Sequence, residues 1–255
     1  MHFSTLATTF TVAFAAFANG QTVYLAGDST MAKGGGGFTG SDGWGQYLGQ
    51  FLNIPVVNMA IGGRSARSFT EEGRFNTIIN TVKSGDFVVI EFGHNDGSAG
   101  AVDNGRQSAV GDGYDTTAIV TKSDGSTVLI HSFPYYVQNA INALKAKGAI
   151  VISSSQTPNN TWENGVIAAP PRFVGYAQIV ASRTGITYIN HYAYVVQAFK
   201  RIGQNNVAAY FPVDHTHTTP AGANAVAVAF VRGLLCSNNP LRSKLNSAGT
   251  SVPGE

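Results

Sequence analysis

Cysteine is almost absent from this sequence, in which Cys236 is the single cysteine among 255 residues. One cysteine excludes an intrachain disulfide, so the fold must be stabilised by its core. We expect Cys236 to be a small buried apolar side chain, with an intermolecular disulfide as the alternative.

Charged residues are also scarce, at 12% of the chain, and the formal net charge is only +2. This balance gives no support for nucleic acid as a partner. A hydrophobic content of 44% excludes a disordered chain.

Long apolar runs are lacking after the first twenty residues. The uncharged run from Leu6 to Phe17 is too short to span a bilayer. It is typical of a secretory signal peptide, although no Lys or Arg precedes it. We expect residues 1–20 to be removed, with cleavage after Gly20 or Ala18. The mature protein is then expected to be secreted, extracellular and soluble, with no membrane partner. A buried N-terminal helix is the alternative.

The chain also lacks the G-x-S-x-G motif, which excludes the nucleophile elbow of the α/β-hydrolases. A different serine, Ser29, follows a short apolar strand in the sequence Gly27-Asp28-Ser29. The carboxyl ends of strands are where open parallel sheets bind ligands, and a serine there can act as a nucleophile if a base reaches it. Taken alone, the three residues are equally ordinary turn residues, and we expect Asp28 to fix the turn by hydrogen bonds.

Strand and helix patterns alternate along the rest of the sequence. Strands are predicted at residues 22–27, 54–61, 86–92, 149–153 and 186–189, and a surface hairpin at 119–130. Helices are predicted at residues 44–52, 74–82, 133–147, 170–183, 192–202 and 220–235. This alternation predicts an α/β fold with a doubly wound, five-stranded parallel sheet, in a single domain over residues 21–255.

Acyl transfer requires a nucleophile, a base, a group that orients the base, and donors for the oxyanion. Ser29 can be the nucleophile, His217 the base, and Asp214, three residues earlier, the orienting group. The backbone N–H groups of Ser29 and Gly63 and the amide of Asn95 can form the oxyanion hole, because Gly63 and Asn95 follow the next two strands.

These motifs resemble, in order, the four sequence blocks of the SGNH (GDSL) hydrolases. More narrowly, the runs YLAGDSTMAK, GGRSAR, EFGHND, SSQTPNN and FPVDHTHTTPAG resemble the fungal rhamnogalacturonan acetylesterases. The resemblance implies a flavodoxin-like three-layer α/β/α sandwich and a secreted serine esterase without cofactor or metal. It also implies the catalytic triad Ser29, Asp214 and His217, with Gly63 and Asn95 in the oxyanion hole. The expected substrate is an acetylated pectic polysaccharide, whose rhamnogalacturonan backbone loses O-acetyl groups through an acyl-enzyme. Relatives of this type often carry disulfides, and the single cysteine departs from that pattern.

Some residues are candidates for substrate contact or modification. Lys33, Arg64 and Arg67 are predicted loop cations that could meet galacturonate carboxylates, or could equally be solvated surface charges. Asn159 begins a glycosylation sequon, Asn159-Asn160-Thr161. We expect a monomer.

Three alternatives remain beside this prediction. The same triad could serve an esterase acting on acetylated xylan or on small acyl esters. A secreted carbohydrate-binding module without catalysis would have no need of all three triad residues. A zinc site at Asp214, His215, His217 and His191 is disfavoured, because adjacent D-H-x-H lacks the spacing of familiar zinc sites.

Overall fold

The computed structural model describes residues 20–97 and 100–253. The predicted signal peptide therefore lies outside the described residues, apart from Gly20. In chain order the strands of the described part are β1 (Val23–Gly27), β2 (Val56–Asn58), β3 (Phe87–Glu91), β4 (Thr117–Thr121), β5 (Thr127–His131), β6 (Ile150–Ser154), β7 (Trp162–Glu163), β8 (Val166–Ile167) and β9 (Thr187–Ile189).

The central sheet has five strands in the order β2-β1-β3-β6-β9, and every neighbouring pair is parallel. This confirms the predicted doubly wound sheet. Gly27 at the end of β1 is in register with Glu91 at the end of β3. The segments that follow these two strands therefore begin at the same edge of the sheet.

Helices cover both faces of this sheet. They are α1 (Ala66–Glu71), α2 (Arg74–Thr81), α3 (Phe133–Ala146), α4 (Arg172–Thr184), α5 (His191–Ile202), α6 (Gln204–Ala208), α7 (Pro220–Leu235) and α8 (Ser247–Thr250). Within residues 20–97 and 100–253, none of them combines the length and apolar character that a membrane-spanning helix requires.

Successive side chains of β1 enter two different hydrophobic cores, because neighbouring residues of a strand point to opposite faces. Val23 and Leu25 join the core formed with α5 and α7. Tyr24 and Ala26 join the core formed with α1, α2 and α3. Because β1 is buried on both faces, the turn that follows it starts from a rigid strand.

Three local predictions differ from the structure. The strand predicted over 54–61 is shorter, because it lies at the sheet edge and pairs with β1 over only three residues. Residues 44–52 form two short 3₁₀ turns, where Gly45 and Gly49 weaken an α-helix. Cys236, expected to be buried, is exposed, because it caps the carboxyl end of α7 where that helix leaves the core.

Short elements were missed by the periodicity argument. Helix α1 spans six residues, and its signal is the Ser65 N-cap, whose side chain and that of Ser68 form a reciprocal capping box. The hairpin predicted over 119–130 is confirmed as β4 and β5.

Candidate active site

Ser29 lies in the turn directly after β1, and its side chain is buried except for 6% of its surface. The turn is held by Asp28, whose Oδ1 accepts hydrogen bonds from the Thr30 backbone N–H (2.9 Å) and hydroxyl (2.8 Å). This confirms the structural role predicted for Asp28. Burial raises the pKa of Asp28 above its ordinary value.

The turn also requires an unusually close approach of the following loop. A β-carbon at Gly35 would come within 1.8 Å of the Ser29 carbonyl oxygen. Glycine at position 35 therefore lets the loop pack directly on the backbone of Ser29.

His217 and Asp214 reach Ser29 from a loop nearly two hundred residues later. The Nε2 atom of His217 lies 2.8 Å from the Ser29 Oγ, and its Nδ1 lies 2.7 Å from the Asp214 Oδ2. A carboxylate only accepts hydrogen bonds, so Nδ1 carries the proton and donates to Asp214. The Nε2 atom of the neutral ring is then the acceptor that faces the Ser29 hydroxyl.

The Asp214 side chain also builds the turn that carries His217. Its Oδ1 accepts hydrogen bonds from the backbone N–H groups of Thr216 and His217, both at 2.7 Å. Burial acts to raise the pKa of Asp214, but the hydrogen bonds from His217 and Thr216 outweigh it and hold this pKa below the ordinary value. The carboxylate is therefore ionised wherever the histidine can act as a base.

The neighbouring histidine points elsewhere. The His215 Nδ1 lies 3.1 Å from the carbonyl oxygen of Asn160. The structure thus brings His217 to Ser29, whereas His215 contacts the loop that follows β6.

Gly63 lies in a tight turn beside Ser29. A β-carbon built at Gly62 would be in ordinary contact with the Ser29 Cβ, at 3.8 Å, and Gly63 has a φ of 75°. This left-handed conformation favours glycine. Within the described part of the chain, no acceptor meets the backbone N–H of Ser29 or Gly63. Both groups are available to a ligand.

Asn95 is joined to the same turn. Its Nδ2 donates to the carbonyl oxygen of Arg64 at 3.1 Å, which uses one of its two amide hydrogens. The second hydrogen remains for a ligand. The predicted oxyanion residues Ser29, Gly63 and Asn95 therefore lie along one edge of the site.

Asp96, the residue after Asn95, has a buried carboxylate that contacts the start of α1. The Oδ1 of Asp96 accepts a hydrogen bond of 2.9 Å from the Ala66 N–H, at the first residue of α1. Burial raises the pKa of Asp96 well above its ordinary value. Asp96 fixes the start of α1, and so the segment that contains Gly63 and Arg64.

The three predicted substrate cations have different surroundings. Arg64 is half-buried and forms hydrogen bonds with Glu72 and with the Gly62 carbonyl oxygen. Lys33 is exposed and lines a groove beside β2.

The prediction for Arg67 as a loop or surface cation was wrong. Arg67 lies in α1, its side chain is only 2% exposed, and it forms ion pairs with Glu71 and Asp103. A guanidinium enclosed in this way is a structural element of the fold, because its charge is already compensated inside the protein.

Sequence reasoning missed Arg106. This exposed residue donates from Nη1 to the Oδ1 of Asn95 at 3.2 Å. The segment from 97 to 114 has no periodicity, so nothing in the pattern placed Arg106 beside Asn95.

The four residues considered for a zinc site are each engaged in other contacts. His191 is fully buried, with Nδ1 at 2.8 Å from Glu91 and Nε2 at 2.9 Å from the Val226 carbonyl oxygen. His217 is engaged with Ser29. Among the described residues, no three His, Cys, Asp or Glu side chains are arranged to hold a metal ion.

The order, spacing and geometry of these residues define a class of hydrolase. The chain belongs to the GDSL-like lipase/acylhydrolase family, whose model matches residues 23–230. It is 47% identical over 236 residues to the rhamnogalacturonan acetylesterase of Emericella nidulans, covering 92% of each chain.

Solved structures share the fold. The protein YxiM from Bacillus subtilis superposes with a TM-score of 0.67 at 25% identity, over 84% of this chain and 56% of that chain. An acetylxylan esterase from Geobacillus stearothermophilus gives a TM-score of 0.55 at 16% identity, over 84% of this chain and 94% of that chain. The second similarity shows the fold alone.

Proposed function

We propose that this protein is a serine esterase that removes O-acetyl groups from the rhamnogalacturonan backbone of pectin. The observation that carries the proposal is the continuous hydrogen-bonded chain from Ser29 through His217 to Asp214, with contacts of 2.8 and 2.7 Å. A nucleophile, a base and an orienting group in this order are what acyl transfer requires.

In the first half-reaction, His217 Nε2 takes the proton of Ser29 while Oγ attacks the acetyl carbonyl carbon. The carbonyl oxygen becomes an oxyanion and accepts hydrogen bonds from the N–H groups of Ser29 and Gly63 and from Asn95 Nδ2. When the tetrahedral intermediate collapses, His217 gives the proton to the departing sugar oxygen, and Ser29 remains acetylated.

In the second half-reaction, a water molecule replaces the sugar. His217 takes a proton from this water as it attacks the acetyl-enzyme, and returns the proton to Ser29 Oγ as acetate leaves. Asp214 accepts the Nδ1 hydrogen throughout and stabilises the imidazolium that forms in each half.

The substrate is argued from the relatives and from the rim of the site. The relative from Emericella nidulans, a rhamnogalacturonan acetylesterase, matches nearly the whole chain at 47% identity. Lys33 is an exposed cation in the segment that follows Ser29, which suits a polymer that contains galacturonate.

The test is acetate release from acetylated rhamnogalacturonan, with acetylated xylan as the comparison. We expect Ser29→Ala to reduce kcat on the order of 10³- to 10⁶-fold. The control Ser243→Ala removes an exposed hydroxyl that bonds the Pro240 carbonyl oxygen, and should keep wild-type activity. Release from xylan alone would keep the serine mechanism and reject the pectic substrate, whereas a fully active Ser29→Ala variant would reject the mechanism.

We further propose that the protein is secreted after removal of residues 1–20, and that it acts as an extracellular monomer. Asn159 is exposed, as a glycosylation site must be, and its Oδ1 accepts a hydrogen bond of 3.1 Å from Thr216. Mass spectrometry of protein from the medium of a eukaryotic host should give an N-terminus at Gln21 or Asn19, and a glycan that Asn159→Gln removes. An intact N-terminus would reject the signal peptide.

A further inference from the structure

Arg106 is held at the edge of the oxyanion hole by one of its nitrogen atoms. Its Nη1 donates to Asn95 Oδ1 at 3.2 Å, while Asn95 Nδ2 donates to the Arg64 carbonyl oxygen at 3.1 Å. The guanidinium is therefore one side chain away from the group that would hold the acetyl oxygen.

The loop that presents Arg106 is fixed by hydrogen bonds to buried Arg67 and by hydrogen bonds within the loop itself. The Asp103 carboxylate accepts hydrogen bonds from Nη1 (2.7 Å) and Nη2 (3.3 Å) of the buried Arg67 guanidinium. Asn104 Oδ1 accepts the backbone N–H groups of Arg106 and Gln107, each at 2.8 Å. Buried Arg67 thus acts on the site indirectly, by anchoring the loop that carries Arg106.

The charge of Arg106 is not compensated by a carboxylate. Arg64 and Arg67 are both in ion pairs, whereas no acidic side chain in the described part of the chain lies within ion-pairing distance of Arg106. Because Nη1 is used by Asn95, the Nε and Nη2 hydrogens remain, and these two parallel donors match the two oxygens of a carboxylate.

We propose that Arg106 binds the carboxylate of a uronate residue adjoining the acetylated sugar, and so selects acidic over neutral acetylated polysaccharides. The proposal rests on the proposed function, since it assigns the charge recognition of the same site. It places this recognition on Arg106, whose donors are exposed, instead of on Arg67, whose donors are enclosed.

The experiment compares two forms of one polymer, acetylated rhamnogalacturonan with free galacturonate carboxylates and the same polymer after methyl esterification of those carboxylates. The measured quantity is kcat/KM for acetate release from the free-acid polymer divided by kcat/KM for the methyl-esterified polymer. A ratio is used because a loss of alignment at Asn95 would lower both rates together and leave the ratio unchanged.

We expect the ratio in Arg106→Gln to be about tenfold lower than in the wild type, since one exposed charge-assisted contact is lost. The change should come mainly from a higher KM for the free-acid polymer. The ratio in Arg106→Lys should lie between those of the wild type and Arg106→Gln, because lysine keeps the charge and loses the paired donors. The control Arg242→Gln makes the same change in net charge and should keep the wild-type ratio. Arg242 lies near Lys244, whose carbonyl oxygen accepts a hydrogen bond from the Asn53 N–H, just before the amino end of β2.

An unchanged ratio in Arg106→Gln, whatever the loss in absolute rate, would overturn the inference, and so would a wild-type enzyme that does not distinguish the two polymers. A wild-type enzyme that releases acetate from neither polymer would reject the proposed function itself. The two failures are therefore distinguishable.

Discussion

Asp214→Asn is the substitution that tests the proposed mechanism most directly. In the native loop, Oδ1 accepts two backbone N–H groups at 2.7 Å, and Oδ2 accepts the Nδ1 hydrogen of His217. The two N–H groups require an oxygen at the Oδ1 position, so the amide nitrogen of the asparagine must face the histidine. That nitrogen is a donor, and His217 Nδ1 must then accept.

The consequence is a change of tautomer with little change in structure. The His217 proton moves to Nε2, where it faces the Ser29 hydroxyl, and the ring can no longer take the serine proton. We expect kcat to fall about 10⁴-fold, which corresponds to about 5.5 kcal/mol of transition-state stabilisation. The assay is acetate release under saturating substrate, with thermal unfolding measured in parallel.

The matched variant is Asp214→Ala, which removes the turn as well as the orienting group. Losing both backbone contacts of a side chain that is 41% exposed should lower the free energy of unfolding by about 1–2 kcal/mol, or Tm by about 2–8 °C. Asp214→Asn should keep a Tm close to wild type. An Asp214→Asn enzyme with a kcat within tenfold of wild type would refute the tautomer argument. If Asp214→Asn is as unstable as Asp214→Ala, the loss of kcat comes from disruption of the turn that carries His217.

Three further predictions concern the support of the site. Gly63→Ala should lower stability by about 1–2 kcal/mol, because φ is 75° at this position, and should lower kcat more than it changes KM. Asp103→Asn should destabilise the protein by about 3 kcal/mol, since Arg67 would remain buried without its main partner. The hydrogen bond from Arg67 holds the pKa of Asp103 below its ordinary value. This stabilisation is therefore fully present above about pH 4 and is lost as the pH falls through the lowered pKa. His191→Phe should cost about 3–5 kcal/mol by leaving Glu91 buried with one partner fewer.

Each of these predictions has an outcome that contradicts it. Gly125→Ala has the same backbone strain, at φ 83° in the β4–β5 turn, and should reproduce the loss of stability without the loss of kcat. If it also lowers kcat, the effect at Gly63 is not local. For Asp103→Asn, a difference from wild type in denaturant unfolding that grows below pH 4 would contradict the sign of the linkage. For His191→Phe, an unchanged midpoint of unfolding would show that Glu91 is satisfied without this residue.

Much of the fold could be predicted from the sequence, because the strongest patterns lie in the most buried elements. The uninterrupted apolar run of β3 is buried throughout, as a strand between two helical layers must be. Helix α7 begins at Pro220 and ends at Leu235, as predicted from a proline at its first residue and apolar side chains along one face. Short or edge elements such as α1 and β2 have too few residues to show a period, and they were missed or overextended.

The sequence by itself determined which residues could carry acyl transfer. Residue type and spacing made Ser29, Asp214 and His217 candidates, because only certain side chains can act as nucleophile, base and orienting group, and the resemblance to the SGNH hydrolases implied that they form the triad.

Only the tertiary structure decided how charge is distributed around the site. Burial turned Arg67 into an internal anchor for Asp103, and the path of the loop after β3 brought Arg106 to Asn95. The physical reason is that a charged side chain has the same formula whether it is solvated or enclosed. Its partners and exposure depend on segments distant in sequence, and they determine whether it binds a ligand or stabilises the fold.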